Sequence, residues 1–187
     1  MTYQQRLEPG KYLLDVEAFM LLADSGAFGD AGTELIAGDV FIMSPEYAPH
    51  FRIKSELAYR LRRALEAEGS ELFVGTEGSV RVSSHDMPQP DILVTSAVHG
   101  DGPLPITSLV LIVEVSASTL PYDLGGKASL YAGANVPEYW VVDVQGRAIK
   151  QMWSPMEGAY EHARTTAFGS DVTAVTIGGL TVSTAGL

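Results

Sequence analysis

Three side chains stand where an apolar core would prefer hydrocarbon. Glu114 interrupts the run Leu109-Val-Leu-Ile-Val-Glu114-Val-Ser, which is apolar enough for a strand covered on both faces. A carboxylate inside such a strand must be paired, protonated or bound to a metal, because an isolated buried charge is very costly. The plainer reading is an end-of-strand Glu that reaches solvent. Lys127 lies in the next helical segment, where Leu124, Leu130, Tyr131 and Ala134 share one face at about 100° per residue. An ammonium on that face either snorkels outward along its stem or meets a carboxylate held by the sheet below. Glu114 is the nearby candidate partner, since a helix that follows a strand packs back on it. Asp91 opens the apolar stretch Asp91-Ile-Leu-Val after Pro90. Asp is disfavoured inside strands, so it either caps a turn or projects from the sheet edge into a cleft.

Together the three define a chemistry. Carboxylates on neighbouring strands can share a hard divalent cation such as Mg²⁺, which prefers oxygen ligands; Mn²⁺ is the substitute. The cation lowers the pKa of a bound water and neutralises charge building on a phosphate. A lysine beside it orients or deprotonates that water and stabilises pentacovalent phosphorus. Asp91 and Glu114 as ligands with Lys127 as the basic residue are a minimum set for metal-assisted phosphodiester hydrolysis. A salt bridge between Glu114 and Lys127 with no catalytic role is the competing reading. Paired carboxylates acting on a sugar leave Lys127 without a task.

The elements that must position these groups follow from periodicity and punctuation. A helix is expected over Asp15 to Ala23, then a glycine-marked loop at Gly26, Gly29 and Gly32. Glu34 to Met43 reads as two short strands around the turn Ala37-Gly38-Asp39. A long helix runs from His50 to Glu68 and closes at Gly69, with Ile53, Leu57, Leu61 and Ala64 as its apolar stripe. Strands are expected at Leu72–Thr76, Ser79–Ser83, Asp91–Thr95 and Leu109–Val115. A helix from Leu124 to Ala134, capped by Asp123, leads to a strand over Glu138–Val144. Ala148–Trp153, Tyr160–Thr166 and Val172–Ile177 are expected as antiparallel strands at the sheet edge. The fold class is α/β (α+β): one domain over residues 1–187, with a mixed central sheet flanked by helices.

Other polar residues read more plainly. Asp143 ends an aromatic-rich strand and is expected to form a turn. Glu34 and Glu77 are expected to be ordinary strand residues outside the site. His50 is a lone helix-end histidine that could contact phosphate. The long helix carries Arg52, Lys54, Arg60, Arg62 and Arg63, either as a solvated face or as the lining of a local groove. No phosphate loop, dinucleotide fingerprint or Gly-x-Ser-x-Gly motif is present.

Composition bounds the rest. The chain has 187 residues, 46% of them hydrophobic and 19% charged, as in a globular protein. It has no cysteine, which excludes disulfides, thiolate catalysis and Cys-ligated zinc. No apolar run reaches the roughly 18 residues of a membrane span. The first residues lack the apolar core of a signal peptide, so a cytoplasmic protein is expected. The net charge of −11 argues against a broad basic surface for nucleic acid. Trp140 and Trp153 read as exposed aromatics at a homodimer interface.

The string Pro90-Asp91…Glu114-Val-Ser116…Ser118-Thr119…Asp123…Lys127…Tyr131…Val136-Pro-Glu-Tyr-Trp140-Val-Val-Asp143 resembles the Uma-type endonuclease family, a bacterial group with the restriction-endonuclease-like fold. Glu34-Leu-Ile-Ala-Gly and His50 are similar to that family too, so the resemblance runs from about Glu34 to Asp143. It implies a PD-(D/E)XK site with Asp91 and Glu114 as metal ligands, Lys127 as the basic residue and DNA as substrate. It departs from the superfamily pattern in one respect: Ser116 stands two residues after the acid, where Glu-X-Lys would place the lysine, and Lys127 on the helix takes that place. A nuclease fold without activity, working through protein partners, is the alternative that the acidic charge favours.

Overall fold

The computed structural model describes residues 10–43, 45–97 and 100–187. Of the N-terminal stretch Met1 to Tyr12, in which no signal-peptide core is expected, residues 1–9 lie outside them. Six strands form the central sheet, in the order β10-β9-β8-β7-β5-β3. In chain order these are β3 (Phe73–Thr76), β5 (Ile92–Thr95), β7 (Leu109–Ser116), β8 (Glu138–Asp143), β9 (Ala148–Met156) and β10 (Ala159–Ala167). Only the β7–β8 pair is parallel; the other four are antiparallel. A parallel pair requires a crossover, and the helical segment between Leu120 and Gly133 supplies it.

The central strands are almost wholly buried, which explains the unbroken apolar runs in β5 and β7. Side-chain alternation along β7 divides its residues between two cores. Leu111, Val113 and Val115 face the long helix α2 (Ala48–Ala67), packing with its Ile53, Leu57, Leu61 and Leu65. Ile112 points to the opposite face, with Leu93, Tyr139 and the crossover residues Ala128 and Tyr131. Glu114 shares the parity of Ile112 and therefore lies under the crossover.

A third, smaller core holds α1 (Val16–Asp24) against a hairpin of β1 (Thr33–Ile36) and β2 (Asp39–Ile42). Asp15 caps α1 by accepting from the Ala18 amide at 2.7 Å. The hairpin turns at Ala37 and Gly38, both with positive φ. Gly38 is required there: a Cβ would lie 2.6 Å from that of Leu13.

The expected helices and strands are present, with four corrections. Val172–Ile177 does not join the main sheet. Its strand, β11 (Asp171–Thr173), pairs with β12 (Thr181–Ser183) in a separate hairpin packed on α2. Ser79–Ser83 contracts to β4 (Val80–Arg81), which pairs in parallel with β6 (Leu104–Pro105). Asp123 is not the N-cap of a helix starting at Leu124. The crossover begins earlier, as α3 (Leu120–Tyr122), and Asp123 opens a π-helical turn over Asp123–Lys127 before α4 (Ala128–Gly133). Two consecutive glycines weaken the regular helix here, and Pro121 suits its first turn. Finally, Trp140 is fully buried and Trp153 half-buried, so Trp140 has no surface to offer a second subunit.

Candidate functional site

Asp91 and Glu114 meet because β5 and β7 run antiparallel. Ile92 stands opposite Val113, so the next step outward places Asp91 opposite Glu114, on the same face of the sheet. The Asp91 Oδ2 atom accepts from the Val115 amide at 2.7 Å, which fixes the carboxylate against the neighbouring strand.

Lys127 reaches the pair from above. The π turn brings it to the start of α4, one helical turn before Tyr131. Both donate to Glu114 Oε1, Lys127 Nζ at 3.1 Å and Tyr131 Oη at 2.9 Å. Lys127 also lies 3.4 Å from Glu34 Oε2 on β1. The sequence reading placed Glu34 outside the site, yet it is buried and ion-paired to Lys127. Its alternation with Leu35 was too short a pattern to reveal this.

Asp91 sits at the strand end and also faces α2. His50 Nε2 lies 3.2 Å from Asp91 Oδ2, and His50 Nδ1 lies 2.5 Å from Glu46 Oε1. Lys54, one turn along α2, pairs with Glu46 at 2.6 Å and Glu77 at 2.5 Å and stands 4.0 Å from Asp91 Oδ1. Glu46, His50 and Asp91 offer ligand atoms within 4.8 Å of one another. His50 thus belongs to the cluster. Lys54, read as part of a solvated face or a groove lining, and Glu77, read as a strand residue, are part of it as well. Asp143 has the turn role expected of it, accepting from the Gly146 amide at 2.7 Å.

The electrostatics are those of an acid-rich pocket. Burial pushes the Glu114 carboxyl up to about 8, and Asp91, Asp123 and Glu34 add to this against the pull of Lys127. Burial works to lower the Lys127 ammonium, but Glu114 and Glu34 outweigh it and hold the group above its usual range. His50 is raised too: burial opposes its charge, and Asp91 and Glu46 prevail.

The donor set fits a hard cation. Both donors to Glu114 take Oε1, leaving Oε2 without a donor among the described residues. Asp91 Oδ2 receives Val115 and His50, whereas Oδ1 has only Lys54 at 4.0 Å. Each facing carboxylate thus keeps one oxygen for an oxygen-preferring ion. Another buried acid shows the contrast. Glu138 is filled on both oxygens by Trp140 Nε1, the Val175 and Thr176 amides and Thr176 Oγ1 at 2.6–2.9 Å.

The model of the Uma2 family, described as “Putative restriction endonuclease”, matches residues 17–185 of this chain. No curated protein matches. Among solved structures, the chain is similar to a putative nuclease of family DUF820 from Anabaena variabilis, with a TM-score of 0.67 and 13% sequence identity. The match covers 87% of this chain and 89% of that one. At that identity the likeness is one of fold.

Proposed function

Because the chain belongs to the Uma2 family, we propose that it is a divalent-metal-dependent nuclease that hydrolyses phosphodiester bonds in DNA at Asp91, Glu114 and Lys127. The observation that carries this reading is the placement of Asp91 and Glu114 across β5 and β7, each with an oxygen that has no hydrogen-bond donor among the described residues, beside the Lys127 ammonium.

Asp91 Oδ1 and Glu114 Oε2 would hold the ion. Bound Mg²⁺ or Mn²⁺ supplies Lewis acidity, making water nucleophilic near neutral pH and offsetting phosphate charge. The chain's own groups do the rest. Tyr131 and the Val115 amide fix the two carboxylates. Lys127 stays protonated, so it orients the water and stabilises the extra negative charge on phosphorus instead of acting as base. Water oxygen forms the new P–O bond, one ester P–O bond breaks, and the leaving oxygen takes up a proton. The products are a phosphomonoester and an alcohol. His50 and Lys54 hold Asp91 from the α2 side.

One observation favours the inactive-module reading. Lys127 is shared between two carboxylates and Lys54 among three, as in a self-neutralised structural cluster. Cleavage of supercoiled and single-stranded DNA with Mg²⁺ and Mn²⁺ decides between the readings, with wild type beside Asp91→Ala and Lys127→Ala. Activity in wild type that is lost in both variants supports the nuclease. A folded wild type that neither cleaves nor binds metal supports the module.

A further inference from the structure

We propose that Phe41 and Tyr122 receive an unstacked nucleobase beside the site, which makes single-stranded or locally unpaired DNA the substrate class. The inference rests on the nuclease reading of the adjacent cluster. Phe41 stands directly opposite Glu34 in the β1–β2 hairpin, so the two side chains share one face. Glu34 in turn touches Lys127. Tyr122 precedes Asp123 and packs over Gly126, where a Cβ would lie 2.8 Å from its ring. Gly126 is the residue before Lys127. The two rings stack at 6.1 Å between centroids, 28° from parallel. Phe41 remains 42% exposed, so part of its ring is open to a base.

Charge points the same way. Duplex binding draws on lysines and arginines that neutralise phosphates. Of the twelve in this chain, Arg6 lies outside the described residues, and nine of the others are held by a carboxylate or a backbone carbonyl. Only Arg63 and Lys150 have no such partner among the described residues. Three arginines of α2 are tied to backbone: Arg52 and Arg60 donate to carbonyls of the C-terminal segment, and Arg62 to Val74. A chain of net charge −11 with so few available cations has little to grip a duplex. Base stacking on aromatic rings needs no net charge, and a duplex does not expose its base faces.

The test is binding of fluorescein-labelled oligothymidylate, and of its duplex with oligodeoxyadenylate, to the full chain with Mg²⁺ at fixed salt. Cleavage of both is followed in parallel. Wild type is expected to bind the single strand at least tenfold more tightly. Phe41→Leu and Tyr122→Leu keep apolar bulk without the π face, and each should weaken single-strand binding about tenfold, the loss of one base stack. Phe41→Trp should retain it, with folding of every variant checked by circular dichroism. Equal or tighter duplex binding, wild-type affinity in both leucine variants, or weakened binding in Phe41→Trp would overturn the inference. Single-strand binding without cleavage of either DNA sinks the nuclease reading, and with it the substrate assignment, and leaves only the base-binding role of Phe41 and Tyr122 standing. Cleavage with duplex preferred does the reverse.

Discussion

Lys127 and Tyr131 converge on one oxygen of Glu114 and leave its other oxygen without a donor among the described residues. Two donors from successive turns of one helix fix the carboxylate, and the open oxygen defines where a cation would bind. Removing either facing acid should therefore remove the ion. Asp91→Asn and Glu114→Gln are each expected to weaken Mn²⁺ binding at least tenfold in calorimetry. Wild-type affinity in either variant would place the ion elsewhere, with Glu46 and His50 as the next ligands to replace.

Lys127 makes the opposite prediction for affinity. It is a positive charge beside the proposed ion, so Lys127→Ala should leave Mn²⁺ binding unchanged or tighter. Its turnover should fall on the order of 10²-fold, the typical loss of one preorganised charge-stabilising donor. Single-turnover cleavage at saturating metal measures this directly. Turnover within a few-fold of wild type would reduce Lys127 to a structural counter-ion.

Acidity gives a further test through linkage. The folded protein holds the Glu114 pKa at about 8, above its ordinary 4.5. A raised pKa means that folding favours the neutral form, so the stabilising contribution is complete below 4.5 and is lost as pH rises through about 8. Glu114→Gln stays neutral and escapes that loss. The melting temperature of the metal-free variant should gain on metal-free wild type as pH goes from about 5 to about 8. A cation favours the carboxylate, so Mg²⁺ should stabilise wild type more at the upper end of this window. A difference between the two proteins that stays flat with pH would contradict the raised pKa.

Much of the site was legible because its residues break local rules. Glu114 is a charge in an apolar strand and Lys127 a charge on an apolar helix face; both are buried. Asp91 was visible only in combination with them. Glu34 and Lys54 could not be read this way, since a four-residue strand and a charged helix give no sign of which positions turn inward. The π turn escaped as well. A uniform helix placed Lys127 on the correct face only because α4 starts beside it and keeps Tyr131 one turn away. Trp140 misled because nothing in Glu-Tyr-Trp-Val-Val-Asp marks β8 as internal to the sheet; its indole turns inward and donates to Glu138.

Glu138 supplies the last prediction, because it is as buried as Glu114 and breaks the same local rule. Its oxygens accept from an indole, two backbone amides and a hydroxyl, and Gln151 Nε2 lies 3.3 Å from Oε1. These neutral donors converge from β8, β9 and the segment after β11, so the carboxylate ties the separate β11–β12 hairpin to the main sheet. Such a group needs no cation. Glu138→Gln would turn an amide NH₂ toward at least one of these donors. Stability should fall on the order of 2–4 kcal/mol in urea unfolding, given the cost of losing hydrogen bonds to a buried charge. Mn²⁺ affinity of the folded variant should match wild type. Burial alone cannot separate the two acids, and opposite outcomes for Glu138→Gln and Glu114→Gln would show that the arrangement of donors does. A Glu138→Gln variant that lost Mn²⁺ while staying folded would defeat this distinction.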